Sequence, residues 1–296
     1  MYEYANRVIT CTNIEDNISL TFNEREFNPF LLVSADGIYD TKNNIFSQDN
    51  TFIDGTEYFG SVMQARNIVI VLKDIDNYDD NRDKIDRVFQ SKKMGTLLVE
   101  DNKHKRAIDY YTESVTSTAT VGSRLTTISL ICPNPHFYDP VDNVLMIATL
   151  VPNFRFPHNF LEGGEEFSYQ NPNMIGQIYN ENAEEYTGMT IVITVLDVVS
   201  NPSVIKIETR EKIKVGGEGN NLVMDVGDTL VITTQTGNKN VLFTRNGVTE
   251  EFNHYLTSDS VFFQLTRGLN SIGYDADSGK QNMMIRIYYR NRYARA

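Results

Sequence analysis

A proline-rich stretch near the middle of the chain divides the sequence into two parts with different patterns. Proline lacks a backbone N–H and favours an extended residue before it, so neither a helix nor a central strand continues through this stretch. We therefore interpret it as a stiff linker between two domains, residues 1–135 and residues 141–296. Residues Cys132–Pro140 contain three of the chain's eight prolines, which are Pro133, Pro135 and Pro140.

The part before the linker predicts a β-sheet with one helix packed on it. Residues Asn67–Lys73 include five consecutive apolar positions, as expected for a central strand that is covered on both faces. Farther along, Ile85, Val88 and Phe89 form an apolar stripe at the spacing i, i+3 and i+4, which indicates a helix. Gly95 is the predicted end of that helix.

The part after the linker alternates between apolar and polar residues with a period of two. Short alternating segments are separated by turn signals that contain glycine or asparagine. Many short strands at this spacing are typical of a β-sandwich. The predicted fold class is therefore mostly β, with an α+β N-terminal domain and a β-sandwich C-terminal domain. The clearest of the segments are Met189–Val195, Thr229–Thr234 and Met283–Tyr289.

The segment between residues 36 and 61 is rich in turn signals and also carries many large apolar side chains. It is long for an unstructured loop, and such a segment cannot bury its aromatic rings alone. The residues leave two interpretations open: a surface loop folded onto its own domain, or an arm that packs on a neighbouring subunit. The side chains that would make the contact are Phe46, Phe52, Ile53, Tyr58 and Phe59.

Charge and cysteine content exclude several classes of protein. The net charge is −12, so binding of nucleic acid through phosphate neutralisation is not expected. The basic residues between Arg286 and Arg295 are interleaved with tyrosines, which suggests either a nucleic-acid tail or a solvated strand end, and we favour the strand end. Cys11 and Cys132 match neither a disulfide framework nor a zinc pattern, so we expect two small buried side chains.

No motif in the sequence predicts catalysis, a cofactor or a metal site. The apolar runs are too short to span a membrane, and the N-terminus lacks the apolar region of a signal peptide. We therefore expect a protein without enzymatic activity that is synthesised and assembled in a cytoplasm. The four histidines have no partner at helical spacing, and they are His104, His136, His158 and His254.

Four segments resemble parts of one protein family. The apolar strand Ile128–Ile131 followed by Cys-Pro-Asn-Pro-His-Phe-Tyr resembles the domain junction of distal tail proteins, the Dit family of long, non-contractile-tailed phages (siphoviruses). Residues Phe263–Ile272 and Met284–Arg290 resemble the last strands of that family's C-terminal galectin-like domain. Residues Asn153–Phe160 resemble the Phe-Pro-rich opening strand of the same domain.

The resemblance implies a structural function. It implies a homo-oligomeric, hexameric ring at the virion tail tip that connects the tail-tube protein to the tail-associated hub (lysin) protein and to a receptor-binding protein. It also implies that residues 36–61 are an arm that embraces the next subunit. The assembly would take place in the cytoplasm of the bacterial host.

A carbohydrate-binding module for host cell-wall glycans is the alternative that a galectin-like scaffold raises. The chain contains no tryptophan, so the galectin sugar motif is incomplete. Tyrosine or phenylalanine would have to provide the stacking surface. A shared scaffold does not establish a shared ligand.

Overall fold

The computed structural model describes residues 7–26, 29–49, 54–74, 76–120, 122–147, 150–152, 168–170, 175–180, 186–217 and 219–296. The chain forms two compact units. The first unit comprises Met1–Pro140 together with Arg292–Ala296, and the second comprises Val141–Asn291. None of the helices in the described ranges has the length and apolar character needed to cross a membrane.

The described secondary structure consists almost entirely of strands. Up to residue 140 the elements are β1 (Val8–Asn13), β2 (Ile18–Asn23), β3 (Leu31–Asp36), β4 (Asn43–Asp49), β5 (Thr56–Met63), β6 (Arg66–Asp74), α1 (Tyr78–Val88), β7 (Met94–Glu100), β8 (Lys105–Thr120), β9 (Ser123–Cys132) and β10 (Phe137–Tyr138). The second unit contains β11 (Asn143–Ile147), β12 (Leu150–Pro152), β13 (Ser168–Gln170), β14 (Ile175–Asn180), β15 (Met189–Val195), β16 (Val199–Ser200), β17 (Ser203–Lys206), β18 (Lys212–Lys214), β19 (Val223–Met224), β20 (Thr229–Gln235), β21 (Asn238–Arg245), β22 (Val248–Glu251), β23 (Gly268–Asp275) and β24 (Met283–Tyr289). The last strand, β25 (Arg292–Tyr293), belongs to the first unit.

Seven strands of the first unit close into a barrel. Their order is β8-β7-β1-β2-β3-β6-β9, and β9 pairs back onto β8. Along β6, fully buried residues alternate with partly or fully exposed ones. The expectation that both faces of Asn67–Lys73 are covered is therefore wrong, because a barrel strand turns one face to the interior and the other outward.

Helix α1 packs against the barrel with the predicted apolar stripe. Ile85 and Val88 are buried in the core of the first unit. The helix ends at Val88, before the predicted stop at Gly95. Gly95 lies instead in β7, where a Cβ atom would stand 2.3 Å from the Tyr110 ring. Its missing side chain makes room for that ring, so the glycine has a packing function that local sequence does not reveal.

The two cysteines are buried, as predicted. Cys11 on β1 and Cys132 on β9 have no solvent exposure, and both are free thiols. Burial raises the pKa of Cys132 to about 12, and it raises the pKa of Cys11 still further. Both side chains therefore act as small apolar groups of the core.

The second unit is a β-sandwich, as predicted. One sheet has the order β11-β24-β15-β20-β21-β22, and the other has the order β14-β23-β17-β18. Alternate residues of both sheets share one core, which includes Ile191 and Ile287 from the first sheet and Val204 and Ile272 from the second. The opening strand predicted at Asn153–Phe160 lies outside the described residues.

The proline-rich stretch is part of the first unit, which corrects its interpretation as a linker. The buried ring of Phe137 belongs to the first core, and β10 pairs with β8 and β25. The division between the units falls after Pro140. Arg292–Ala296 lie in the first unit, so the range 141–296 extends past the second unit at its end. Independent folding of the two domains stays a prediction.

Candidate assembly surface

Strands β4 and β5 form a hairpin that lies outside the barrel sheet. Among the described residues they pair only with each other, from Asn43 opposite Met63 to Asp49 opposite Thr56. A bulge interrupts the register after Phe46. At the root, the amide N–H of Gln64 donates to the carbonyl oxygen of Lys42 at 2.8 Å, so the two ends of the hairpin lie side by side.

The hairpin exposes large apolar side chains on both faces. Ile45 lies opposite Ser61 and Phe46 lies opposite Gly60. Since successive strand residues point to opposite faces, Ile45 and Phe46 occupy different faces. No residue of β4 or β5 is buried. The exposed apolar residues, with their exposed fractions, are Ile45 (67%), Phe46 (53%), Tyr58 (63%), Phe59 (61%) and Val62 (60%).

Three of the five predicted contact residues lie on this hairpin. They are Phe46, Tyr58 and Phe59, whereas Phe52 and Ile53 lie outside the described residues. Two further exposed residues of the hairpin, Ile45 and Val62, were not among the contact residues predicted from the sequence. The available signal was weak, because isolated aliphatic residues among polar ones also fit a strand with one buried face.

The root of the hairpin is held by Arg66, a buried arginine that bonds to backbone carbonyls. Its guanidinium donates to the carbonyl oxygens of Gly37 at 2.6 Å and Pro135 at 2.9 Å, and also to those of Asp40 and Ala294. Arg66 is 7% exposed, and burial lowers its pKa from the ordinary value. These carbonyls come from three separate chain segments, so a single cation joins all three.

A cleft of about 320 Å³ lies beside this arginine at the hairpin root. Its lining includes acidic Asp36 at the end of β3, acidic Asp40 in the segment that leads into β4, and the basic residue Lys42. Met63 contributes an apolar surface from the end of β5. The root is therefore polar and mixed in charge, in contrast to the apolar ribbon that extends from it.

The three prolines that were predicted to form a linker have different environments. Pro133 is exposed, whereas Pro135 and Pro140 are partly buried. The carbonyl of Pro135 accepts a hydrogen bond from Arg66. Pro135 thus contributes a backbone acceptor within the first unit.

The histidines are not brought together. His104 and His254 are exposed, and buried His136 has its Nδ1 atom 3.2 Å from the Asn134 side-chain oxygen. His158 lies outside the described residues. Within the ranges that the structure describes, no three His, Cys, Asp or Glu side chains are grouped so as to hold a metal ion.

The outer face of the four-stranded sheet exposes one aromatic ring among aliphatic side chains. Tyr179 on β14 is 65% exposed and pairs with Leu269 on β23. Ile175, at the other end of β14, is also exposed. This face therefore has an aromatic ring that a sugar could stack on, and the register also places Gln177, Ser271 and Lys212 on it.

Comparison with known proteins identifies the second unit. Residues 182–293 match the family described as siphovirus-type tail component, C-terminal domain. The resemblance to distal tail proteins predicted from the sequence is therefore confirmed by the match of this segment.

Solved structures of phage tail components share the fold along nearly the whole chain. The Dit protein of phage SPP1, described as a paradigm of the hub adsorption apparatus of phages that infect Gram-positive bacteria, has a TM-score of 0.65 at 12% identity. The alignment covers 96% of this chain and 99% of that one. The phage P2 baseplate in its activated conformation with Ca has a TM-score of 0.55 at 12% identity, over 98% of this chain and 99% of that chain. No curated protein sequence matches the chain.

Proposed function

We propose that this tail component forms a hexameric ring at the tail tip, in which the β4–β5 hairpin of each subunit packs on the next subunit. The exposure of apolar side chains on both faces of the hairpin carries this proposal. An isolated two-stranded hairpin is marginally stable in water, and contact with a further surface stabilises it. The same arm contact repeated around an axis closes a ring and leaves no subunit with a free arm.

The energetic argument favours a large partner surface. Burial of each large apolar side chain contributes roughly 1.5–3 kcal/mol. Ordering the backbone costs about 1–2 kcal/mol per residue, so a long arm needs several buried side chains to offset its own ordering. Ile45 and Phe46 lie on opposite faces, so a neighbour that wraps around the hairpin would bury both.

The ring would connect other tail proteins. The first unit would dock to the tail-tube protein on one side and to the tail-associated hub protein on the other, and the second unit would offer a surface to a receptor-binding protein. The family match and the fold shared with a phage hub protein and a baseplate support these partners. The net charge of −12 suits a channel through which DNA passes without binding. The ring would be assembled in the host cytoplasm and act in the virion, without a cofactor.

The mass and shape of the purified chain test the proposed ring. Light scattering should give six times the chain mass of 33.8 kDa, and negative-stain imaging should show closed rings. A protein that stays monomeric at every accessible concentration would contradict the proposal. Open filaments would contradict it too, because they would mean that the arm contact does not close.

Glycan binding by the second unit is the second candidate function. Exposed Tyr179 favours it, since an aromatic face stacks on a sugar ring. The exposed aliphatic residue opposite it, Leu269, favours a protein partner instead. Binding of the intact chain to a glycan array, abolished by Tyr179→Ala, would support the glycan alternative.

A further inference from the structure

The final segment of the sequence, Arg292–Ala296, is anchored in the first unit along its whole length. We call this segment the strap. Tyr293 pairs with Phe137 of β10, and its hydroxyl donates to Asp139 at 2.8 Å. The guanidinium of Arg106 lies 3.9 Å from the centre of the Tyr293 ring. The strap is therefore held by backbone pairing, a hydrogen bond and a cation–π contact.

Beyond Tyr293 the strap reaches the root of the hairpin. Ala294 is 6% exposed, and its carbonyl oxygen accepts a hydrogen bond from Arg66. The amide N–H of Ala296 donates to the carbonyl oxygen of Ile38 at 3.3 Å. Residues 37–40 are the segment that leads into β4, so the strap contacts the hairpin root directly at Ile38 and through Arg66.

On its other side, the root packs closely against the backbone of β6. Gly37 has a φ of +83°, and a Cβ atom there would stand 2.1 Å from the carbonyl oxygen of Asn67. The root thus lies tightly against β6 on one side, and Arg66 and the strap hold its carbonyls. The direction in which a two-stranded ribbon leaves the barrel is set by this root, because a small rotation there moves the tip by many ångströms.

We propose that the strap fixes the direction of the β4–β5 hairpin by locking residues 37–40 through Arg66. The strap follows the second unit in sequence. It nevertheless completes the support of the β4–β5 hairpin, which belongs to the first unit. Before the strap has docked on the first unit, the direction of the β4–β5 hairpin would not be fixed. This assembly role rests on the proposed function, whereas the locking of the root does not.

Hydrogen exchange at the hairpin root tests the strap directly. The chain truncated after Asn291 is compared with the whole chain, at a concentration where neither assembles. The amide of Gln64, which donates to the carbonyl oxygen of Lys42 at the root, should exchange about tenfold faster in the truncated chain, because the strap's hydrogen bonds to Ile38 and to Arg66 are lost. Amides of β1 should keep their protection, because β1 is paired on both edges by β2 and β7.

Two further arms of the experiment keep the result decisive. Arg66→Lys retains the charge but cannot reach all the carbonyls, so it should speed exchange of the Gln64 amide in the same way. A peptide of residues 290–296 added to the truncated chain should restore protection. Arg290→Ala, which removes an ion pair with Asp142 in the second unit, is the matched control and should change nothing at the root.

Unchanged exchange of the Gln64 amide in the truncated chain would contradict the proposed role of the strap. Faster exchange at β1 by the same factor would overturn it as well, since the segment would then support the whole barrel. The exchange measurement does not require ring formation. A failure of the proposed ring is therefore seen in the mass measurement alone, and a failure of the strap is seen in exchange alone.

Discussion

Replacement of residues 43–63 by a two-residue Asn-Gly turn should prevent assembly of the proposed ring and leave a monomer that keeps its fold. The backbone N–H of Gln64 already bonds to the carbonyl of Lys42, so a short turn can join these ends without moving the barrel. Burial of only two hairpin side chains in the contact strengthens association roughly a hundredfold to ten-thousandfold. We therefore expect sedimentation velocity to show monomers where the whole chain forms rings, with an unchanged circular dichroism spectrum.

The matched control removes exposed apolar groups elsewhere. Val226 and Val248 of the second unit are 69% and 61% exposed. The double variant Val226→Thr with Val248→Thr should assemble like the unmodified chain. Rings of normal mass from the chain that lacks the hairpin would show that β4–β5 has no part in assembly.

The variant Asp74→Ala should destabilise the first unit by about 3–5 kcal/mol, because it leaves a buried charge without its partner. Asp74 has no solvent exposure, and its carboxylate accepts a hydrogen bond from Arg124 Nη2 at 2.7 Å. Arg124 also donates to the carbonyl oxygen of Tyr78 at 2.8 Å. The pair thus ties the end of β6 to the start of β9 and to the first residue of the helix. Urea unfolding followed by tyrosine fluorescence measures the loss.

An exposed acidic residue of helix α1, Asp79, provides the control for that variant. The Asp79 side chain is 94% exposed and lies 4.0 Å from Arg82. Exposed pairs of this kind contribute little, so Asp79→Ala should cost less than about 1 kcal/mol. Equal losses from Asp74→Ala and Asp79→Ala would contradict the structural role assigned to the buried pair.

The regular spacing of apolar residues was sufficient to predict individual strands and the helix. The predicted strands Met189–Val195 and Met283–Tyr289 coincide with β15 and β24. The stripe of Ile85 and Val88 faces the core as expected. In each case a regular alternation of apolar and polar residues determines which side chains are buried, so the pattern and the structure agree.

Long-range pairing could not be predicted in this way. Strand β8 pairs first with β7 and then with β9, and the second pairing closes the barrel. Nothing near Lys105–Thr120 indicates this change of partner. The strap was assigned to the second domain because it follows that domain in sequence, and its two-residue strand is too short to show a period.

The candidate surface was predicted in part. The density of aromatic residues between residues 36 and 61 marked the arm, and the structure shows that its described strands are exposed on both faces. The support of the arm was not predicted, because one arginine among many gives no sign that its partners will be backbone carbonyls. The role of Arg66 becomes visible only in the folded chain, where the carbonyl oxygens of Gly37, Pro135 and Ala294 surround its guanidinium.

A cross-linking experiment with two isotopic forms tests most directly whether the hairpin contacts a second copy of the chain. A photoreactive phenylalanine analogue replaces Tyr58 in chains of natural isotopic composition, which are mixed with fully ¹⁵N-labelled unmodified chains before assembly and then illuminated. The account predicts cross-linked peptides that join a light hairpin to a heavy first unit. Cross-links that join the hairpin only to light residues of its own chain would contradict the account, because they would make β4–β5 a loop folded onto its own barrel.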